Sequence, residues 1–327
     1  MIRCGGLVAF PTETVYGLGA NGLDAEACAK IYEAKGRPSD NPLILHVADR
    51  AMVDRAAATV TEMAERVLAA FAPGPVTVIL PKRGEVPSKV TGGLSTVGIR
   101  MPDNDIARAL IRAAGVPIAA PSANASGRPS PTTAAAVFAD MDGKIPLILD
   151  GGPCRFGVES TIVDCTGERA EILRPGAVTR EMLAEVLGEL APPVLREDEA
   201  PRAPGMKYAH YAPIAPLTLI AAPRGKMGEA FRAAIHEATA EGKRPGVVVS
   251  EETAEMLAGL VPPERIAVTG GAGDLSATAA NLYESLRCFD DVDADVLFAE
   301  TVEEKGLGVA IMNRLKKAAG GRVRFID

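Results

Sequence analysis

Apolar residues recur in two rhythms along this 327-residue chain. Some form short unbroken runs of strand length between turn residues, and others return every three or four positions, as on the buried face of a helix. Residues 6–10 read as a strand that runs straight into the glycine-containing loop 11–19, and so short a lead leaves little to cover the strand's edge. Residues 25–35 read as a helix: Asp24 can cap it, Cys28, Ile31 and Tyr32 share one face, and Gly36 is a natural stop. Strands follow at 43–47 and 76–80, with Thr59 and Glu62 set as a capping box for an intervening helix that ends near Phe71. Further strands are expected at 97–100, 117–120, 147–149, 160–165 and 171–173, and helices near 104–114, 132–139 and 179–188. Several of these strands succeed one another without a helix, which predicts a mixed rather than a parallel sheet.

The pattern lapses over 191–216, a proline-rich stretch with a charged run at 196–199 and no sustained apolar period. It then resumes as a regular alternation: strand 217–221, helix 227–240, strand 246–249, helix 252–260, strand 266–268, helix 276–289, strand 295–299, helix 308–319. Such alternation predicts a smaller parallel α/β sheet. The fold class is therefore α/β in two domains, 1–190 and 217–327, joined by a linker at 191–216.

Composition narrows the function classes. The net charge of −7 is shared between the halves, with 19 basic and 22 acidic residues up to position 190 and 16 and 20 after it. Neither half is a basic nucleic-acid-binding body, and any link to nucleic acid is expected to be indirect. The five cysteines are scattered and form no C-x-x-C pair, which argues against a disulfide framework and a zinc site. No stretch approaches the roughly 20 apolar residues of a membrane span, and the N-terminus lacks a secretory pattern, so the cytoplasm is the expected compartment.

Several segments carry chemistry. PTETVYGLG (11–19) places two hydroxyls and two glycines after a buried strand, where backbone can approach a small ligand, though an ordinary turn has the same look. KGRPSDNPL (35–43) sets Lys35 and Arg37 at a helix exit, free to point into a pocket, ahead of a proline-bounded loop containing Asn41; this suits a triphosphate, although on these residues alone a solvated helix end is the first reading. His46 on an apolar strand reads first as a core histidine. TVGIRMP (96–102) ends a strand in Arg100, a clamp for a carboxylate or one half of an ion pair. PSANASGRPSPT (121–132) surrounds Ser122 and Asn124 with small residues before a helix start at Thr132, as a nucleotide site would. GVESTIVD (157–164) and LRPG (173–176) add Ser160 and Arg174, and PGMKYAHYAP (204–213) concentrates His210 and Tyr211 in the linker. There is no Walker A sequence, no nucleophile with a neighbouring base and no metal-ligand spacing.

In this order and spacing the segments resemble the YrdC-like threonylcarbamoyl-AMP synthases, in the long form with a C-terminal Rossmann-like domain. The resemblance extends over the whole chain and reaches KGLGVAIMNR (305–314). One departure is the N-terminus, where the family has a helix ahead of the first strand and this chain has only residues 1–5. The resemblance implies a YrdC-like twisted mixed sheet and a nucleotidyltransferase reaction. Threonine's amine captures bicarbonate-derived CO₂, and the carbamate attacks the α-phosphate of ATP with loss of pyrophosphate. It also implies that the product passes to a tRNA threonylcarbamoyl transferase complex. It assigns Lys35, Arg37, Asn41, Thr96, Asn124, Thr132, Arg174 and His210 or Tyr211 to ATP, with Lys35 and Arg37 mattering most to rate. It assigns Thr14, His46, Arg100, Ser122 and Ser160 to threonine, and leaves Mg²⁺ to the ATP phosphates rather than a protein cage. The linker is expected to close as a lid over the water-sensitive adenylate. Two rivals fit less well. A hydrogenase-maturation carbamoyl transferase would need cysteine-rich zinc modules, and an RNA-binding module without turnover sits badly with a pI near 5.3 and 4% aromatic residues.

Overall fold

The computed structural model describes residues 1–192, 201–205 and 210–326. The charged run 196–199, and residues 206–209 of the expected lid, lie outside them. The chain forms two compact units, Met1–Ser126 with Ser130–Tyr208, and Gly127–Pro129 with Ala209–Asp327.

The first unit is built on an eight-stranded mixed sheet: Val8–Phe10 (β1), Gly17–Asn21 (β2), Ile44–His46 (β3), Val76–Pro81 (β4), Thr96–Arg100 (β5), Ile118–Ala119 (β6), Thr161–Asp164 (β7) and Glu171–Arg174 (β8). Their spatial order is β1-β2-β6-β3-β5-β4-β7-β8, with only β3/β5 and β4/β7 parallel. Helices Ala25–Lys35 (α1), Arg50–Ala56 (α2), Glu62–Phe71 (α3), Ser88–Thr91 (α4), Asp105–Ala114 (α5), Ala134–Met141 (α6) and Arg180–Leu187 (α7) complete it. Helix α1 is delimited as its sequence predicts: the Asp24 side chain accepts from the Glu26 and Ala27 amides, and Gly36 takes φ 62 at the exit.

Strand alternation divides the central strands between two faces. Leu45, Val47, Val78, Leu80, Val97 and Ile99 join Val53 of α2, Val67 and Leu68 of α3 and Ile111 of α5 in the main core. The intervening positions form a row across the opposite face. His46 pairs with Arg100, Thr77 with Ile162 and Ile162 with Arg174. The β4/β5 register, with Val78 opposite Ile99, sets Thr77 beside Arg100. A small separate cluster of Ile44, Ile79, Ile162 and Ala203 serves this second face.

Four local features depart from the sequence expectations. Gly17–Asn21 is not loop but strand, antiparallel to β1; Gly19 is required there, because a Cβ would meet Ile118 and Phe10 side-chain atoms at 2.8 Å. The outer edge of β1 is covered, since the Ala9 amide donates to Leu147 O and the Leu149 amide to Ala9 O, so 147–149 serves as an edge cover with a single bridge rather than a strand. Helix α3 starts two residues later than the Thr59 box predicts. Thr61 caps Ala64 N and donates to Cys165 O, and the Ala58 amide is held by Pro81 O, so the preceding residues are tied to the sheet. Helix α2, capped by Asp49, fills a stretch the pattern left unassigned.

The second unit is a parallel five-stranded sheet of Leu217–Ala221 (β9), Pro245–Val249 (β10), Ile266–Val268 (β11), Val296–Glu300 (β12) and Val323–Phe325 (β13), in the order β11-β10-β12-β9-β13. Helices Met227–Ala240 (α8), Glu251–Met256 (α9), Leu275–Arg287 (α10) and Leu307–Ala318 (α11) connect them. The alternation read from the sequence is reproduced, with β13 added at one edge. No helix among the described residues is long and apolar enough to cross a membrane.

Candidate active site

Backbone hydrogen bonds draw the separate sequence segments into one wall. The Tyr16 amide donates to Pro131 O and the Ala123 amide to Tyr16 O, which fastens loop 11–16 to segment 121–132. The Phe156 amide donates to Glu13 O and the Cys154 amide to Thr132 O, which adds the approach to GVESTIVD. Thr14 is fully buried here, its hydroxyl 2.9 Å from that of Thr12, which donates to Val15 O. The buried Thr132 holds this wall through its carbonyl.

Lys35 closes α1 but does not hang free at its exit, contrary to the sequence expectation. It is 4% exposed, and its ammonium donates to Ser122 O at 2.6 Å, to Asn124 O and, weakly, to Asn124 Oδ1. The charge is thus held by carbonyl dipoles and by the helix C-terminus, and it pins the Ser-Ala-Asn turn. Within that turn the Ser122 hydroxyl donates to Asn124 Oδ1, and Asn124 Nδ2 donates to Ala125 O. Arg37 is likewise engaged, donating to Asn41 O and Pro42 O, so it rigidifies the proline-bounded loop. Asn41 is 1% exposed and its Oδ1 has no hydrogen-bond partner among the described residues, an acceptor in need of a donor.

The row on the second sheet face gathers His46, Arg100 and Arg174, with Thr96 on the same side at the far end of β5. Thr96 and Arg100 stand roughly 13 Å apart along the strand at about 3.3 Å per residue. Arg100 is not an open clamp. Its Nη2 lies 2.8 Å from Glu13 Oε1, with both side chains almost wholly buried. The approach lacks hydrogen-bond angles, and both Glu13 oxygens, Arg100 Nε and Nη2 have no hydrogen-bond partner among the described residues. We read it as a close ion contact with spare hydrogen-bonding capacity rather than a bidentate fork. His46 donates from Nδ1 to Ile44 O and stands edge-on to Phe10. Burial first, and the Arg100 charge second, push its pKa down to about 3, so the ring is neutral near pH 7. Ser160 is fully buried between Thr77 Oγ1 at 2.8 Å and Arg174, whose Nε and Nη2 donate to Ser160 O and whose Nη2 also donates to Ser160 Oγ.

Comparison with known proteins decides the family. A family profile described as "Telomere recombination" matches residues 1–176, and one described as "Threonylcarbamoyl-AMP synthase, C-terminal domain" matches 178–320. Threonylcarbamoyl-AMP synthase of Bacillus subtilis is 47% identical over 99% of this chain and 92% of its own length. The chain belongs to the threonylcarbamoyl-AMP synthase family. The synthase of Pyrococcus abyssi is also 47% identical, over 98% of this chain and 93% of its own. The crystal structure of P. abyssi Sua5 complexed with L-threonine superposes with a TM-score of 0.93 at 46% identity, covering all of this chain and 94% of that one.

For this synthase-family chain the first unit thus brings together Thr14, Lys35, Ser122, Asn124 and Thr132 on the loop wall, and His46, Arg100, Ser160 and Arg174 on the sheet face. His210 and Tyr211 belong to the second unit. There Tyr211 is 5% exposed, its ring packs on Tyr283 at 5.3 Å and lies under Arg314, and its φ of 68 is in the left-handed region. Sequence reasoning missed Glu13, Thr77 and Glu159, which accepts from Ser130 Oγ. Glu13 had a signal, as the sole charge in an otherwise uncharged buried loop. Thr77 had none, because a threonine within VTVIL looks like any strand residue.

Proposed function

We propose that the chain is an L-threonylcarbamoyladenylate synthase, which converts L-threonine, bicarbonate and ATP to threonylcarbamoyl-AMP and pyrophosphate. The observation that carries the reading is the juxtaposition, on one sheet face of a member of this family, of two buried arginines, a neutral histidine and a hydroxyl row, flanked by a lysine-pinned Ser-Ala-Asn turn. The threonine amine adds to CO₂ and loses a proton, giving a carbamate. The carbamate oxygen then attacks the α-phosphorus of ATP, and the α–β bond breaks to release pyrophosphate. No covalent enzyme intermediate is required, only alignment and stabilisation of the growing charge.

In this reading threonine lies over the Arg100 end, with its carboxylate on the spare Nε and Nη2 hydrogens and its hydroxyl and amine among Thr14, His46, Ser122 and Ser160. Neutral His46 contributes a hydrogen bond without competing for the carboxylate. ATP runs toward Thr96 and the 37–41 loop, with Lys35 and Arg37 nearest the phosphates, and Asn41, Asn124, Thr132 and Arg174 as further contacts. Mg²⁺ suits the phosphate oxygens: Glu13 is committed to Arg100 and Glu159 to Ser130, and among the described residues no three His, Cys, Asp or Glu converge. When bound it would neutralise phosphate charge. The adenylate would pass to a separate tRNA-modifying transferase. The test is pyrophosphate release from ATP and Mg²⁺. It should require both L-threonine and bicarbonate and fall with L-serine, whereas release indifferent to either would overturn the assignment.

A further inference from the structure

The second unit holds a cavity of about 440 Å³, within the range of ligand pockets, that the proposed synthase reaction does not use. Its position follows from topology. After β10 the chain crosses outward to β11, whereas after β12 it crosses the other way, over β9 to β13. The adjacent strands β10 and β12 therefore flank a topological switch point, where helices leaving in opposite directions open a crevice beyond the carboxyl ends. The cavity lies there, lined by Val248 and Ser250 at the end of β10 and by Glu300 and Thr301 at the end of β12.

We propose that this crevice binds a nucleoside, an uncharged heterocycle bearing a ribose diol. Glu300 supplies the diol acceptor. Its Oε2 accepts from both the amide and hydroxyl of Ser250 at 2.9 Å, which fixes the carboxylate across the switch point, and its second oxygen has no hydrogen bond to a described residue. A carboxylate held at a strand's carboxyl end is the group that vicinal hydroxyls need. Met227, Leu275, Leu282 and Val302 furnish apolar walls for a ring.

Charge argues against a polyphosphate. The Gly270–Gly273 loop precedes α10, but its Ala272 amide is already bonded to the Glu252 carboxylate, and Asp274 caps the helix. Glu300 and Glu303 line the crevice with Arg224 as the one cationic lining residue, and Arg224 lies so close to Gly273 that a Cβ there would meet its guanidinium at 3.0 Å. A group with several negative charges would face these carboxylates without a clear anion seat.

The test uses the full chain with saturating L-threonine and a non-hydrolysable ATP analogue, so that the first unit's site is filled. Equilibrium dialysis with adenosine, guanosine, cytidine and uridine should show one equivalent of at least one nucleoside bound. Its 2′,3′-dideoxy counterpart should bind about tenfold or more weakly, as should Glu300→Gln with the parent nucleoside. The dideoxy arm needs no variant, and Val302→Trp, which fills the cavity, should abolish binding without touching the carboxylate. No binding below about 1 mM, equal binding of the dideoxy compound, or binding that survives Val302→Trp overturns the proposal. Pyrophosphate release plays no part in this readout, so its failure and that of the synthase reading are distinguishable.

Discussion

Replacing Arg100 by methionine strands the Glu13 carboxylate in a site where its side chain is 2% exposed. At the observed 2.8 Å the gross attraction is about 6 kcal/mol at an effective dielectric of 20, most of which repays the desolvation of the two ions. Removing one partner forfeits the attraction and leaves the other's desolvation uncompensated, so Arg100→Met and Glu13→Gln should each cost about 3–5 kcal/mol, the glutamine toward the low end because it is neutral. The double variant should cost markedly less than the sum, leaving a coupling of a few kcal/mol. The chain has no tryptophan, so urea unfolding is best followed by far-ultraviolet circular dichroism, using the transition of the first unit. Single losses that add within about 0.5 kcal/mol would refute the buried pair.

The His46 pKa of about 3 lies below its unfolded value near 6.5, so the stability contributed by the neutral ring is intact above pH 6.5 and is lost as pH falls toward 3. Urea midpoints should therefore drop by the equivalent of about 2 kcal/mol between pH 6.5 and 5, beyond the change seen in His46→Gln. Ser160→Ala leaves Thr77 Oγ1 and one Arg174 hydrogen bond unanswered and should cost about 1–3 kcal/mol by the same assay. Arg37→Ala, which loosens the partly exposed 37–42 loop, should lower kcat for pyrophosphate release by about 10²-fold with little change in melting temperature. Chelation of Mg²⁺ should abolish release and leave circular dichroism unchanged, with activity restored by the metal.

Much of the fold is legible in the sequence because local chemistry and tertiary structure agree. Asp24 and Gly36 delimit α1, and the alternation after residue 216 is the second sheet. The failures share a cause: the deciding partner is distant in sequence. Thr59 and Glu62 have the spacing of a capping box, but contacts of Ala58 to Pro81 and Thr61 to Cys165 move the helix start. Gly17–Asn21 looks like loop until β1 and β6 flank it. For the site, the residue types were readable and their engagement was not. Lys35 reads as a triphosphate grip or a solvated helix end, and only the fold supplies the Ser122 and Asn124 carbonyls that bury it; Arg100 reads as a clamp or one half of a surface ion pair, and only the fold shows that the pair is buried and that its partner is Glu13 from the first loop.

The most direct measurement is the composition of the adenylate formed from [¹⁴C]bicarbonate, L-threonine and ATP. One species should form that contains AMP, threonine and the carbon label in equal amounts. An adenylate with threonine and AMP but no label would be an aminoacyl adenylate, and would contradict the carbamate as the attacking group.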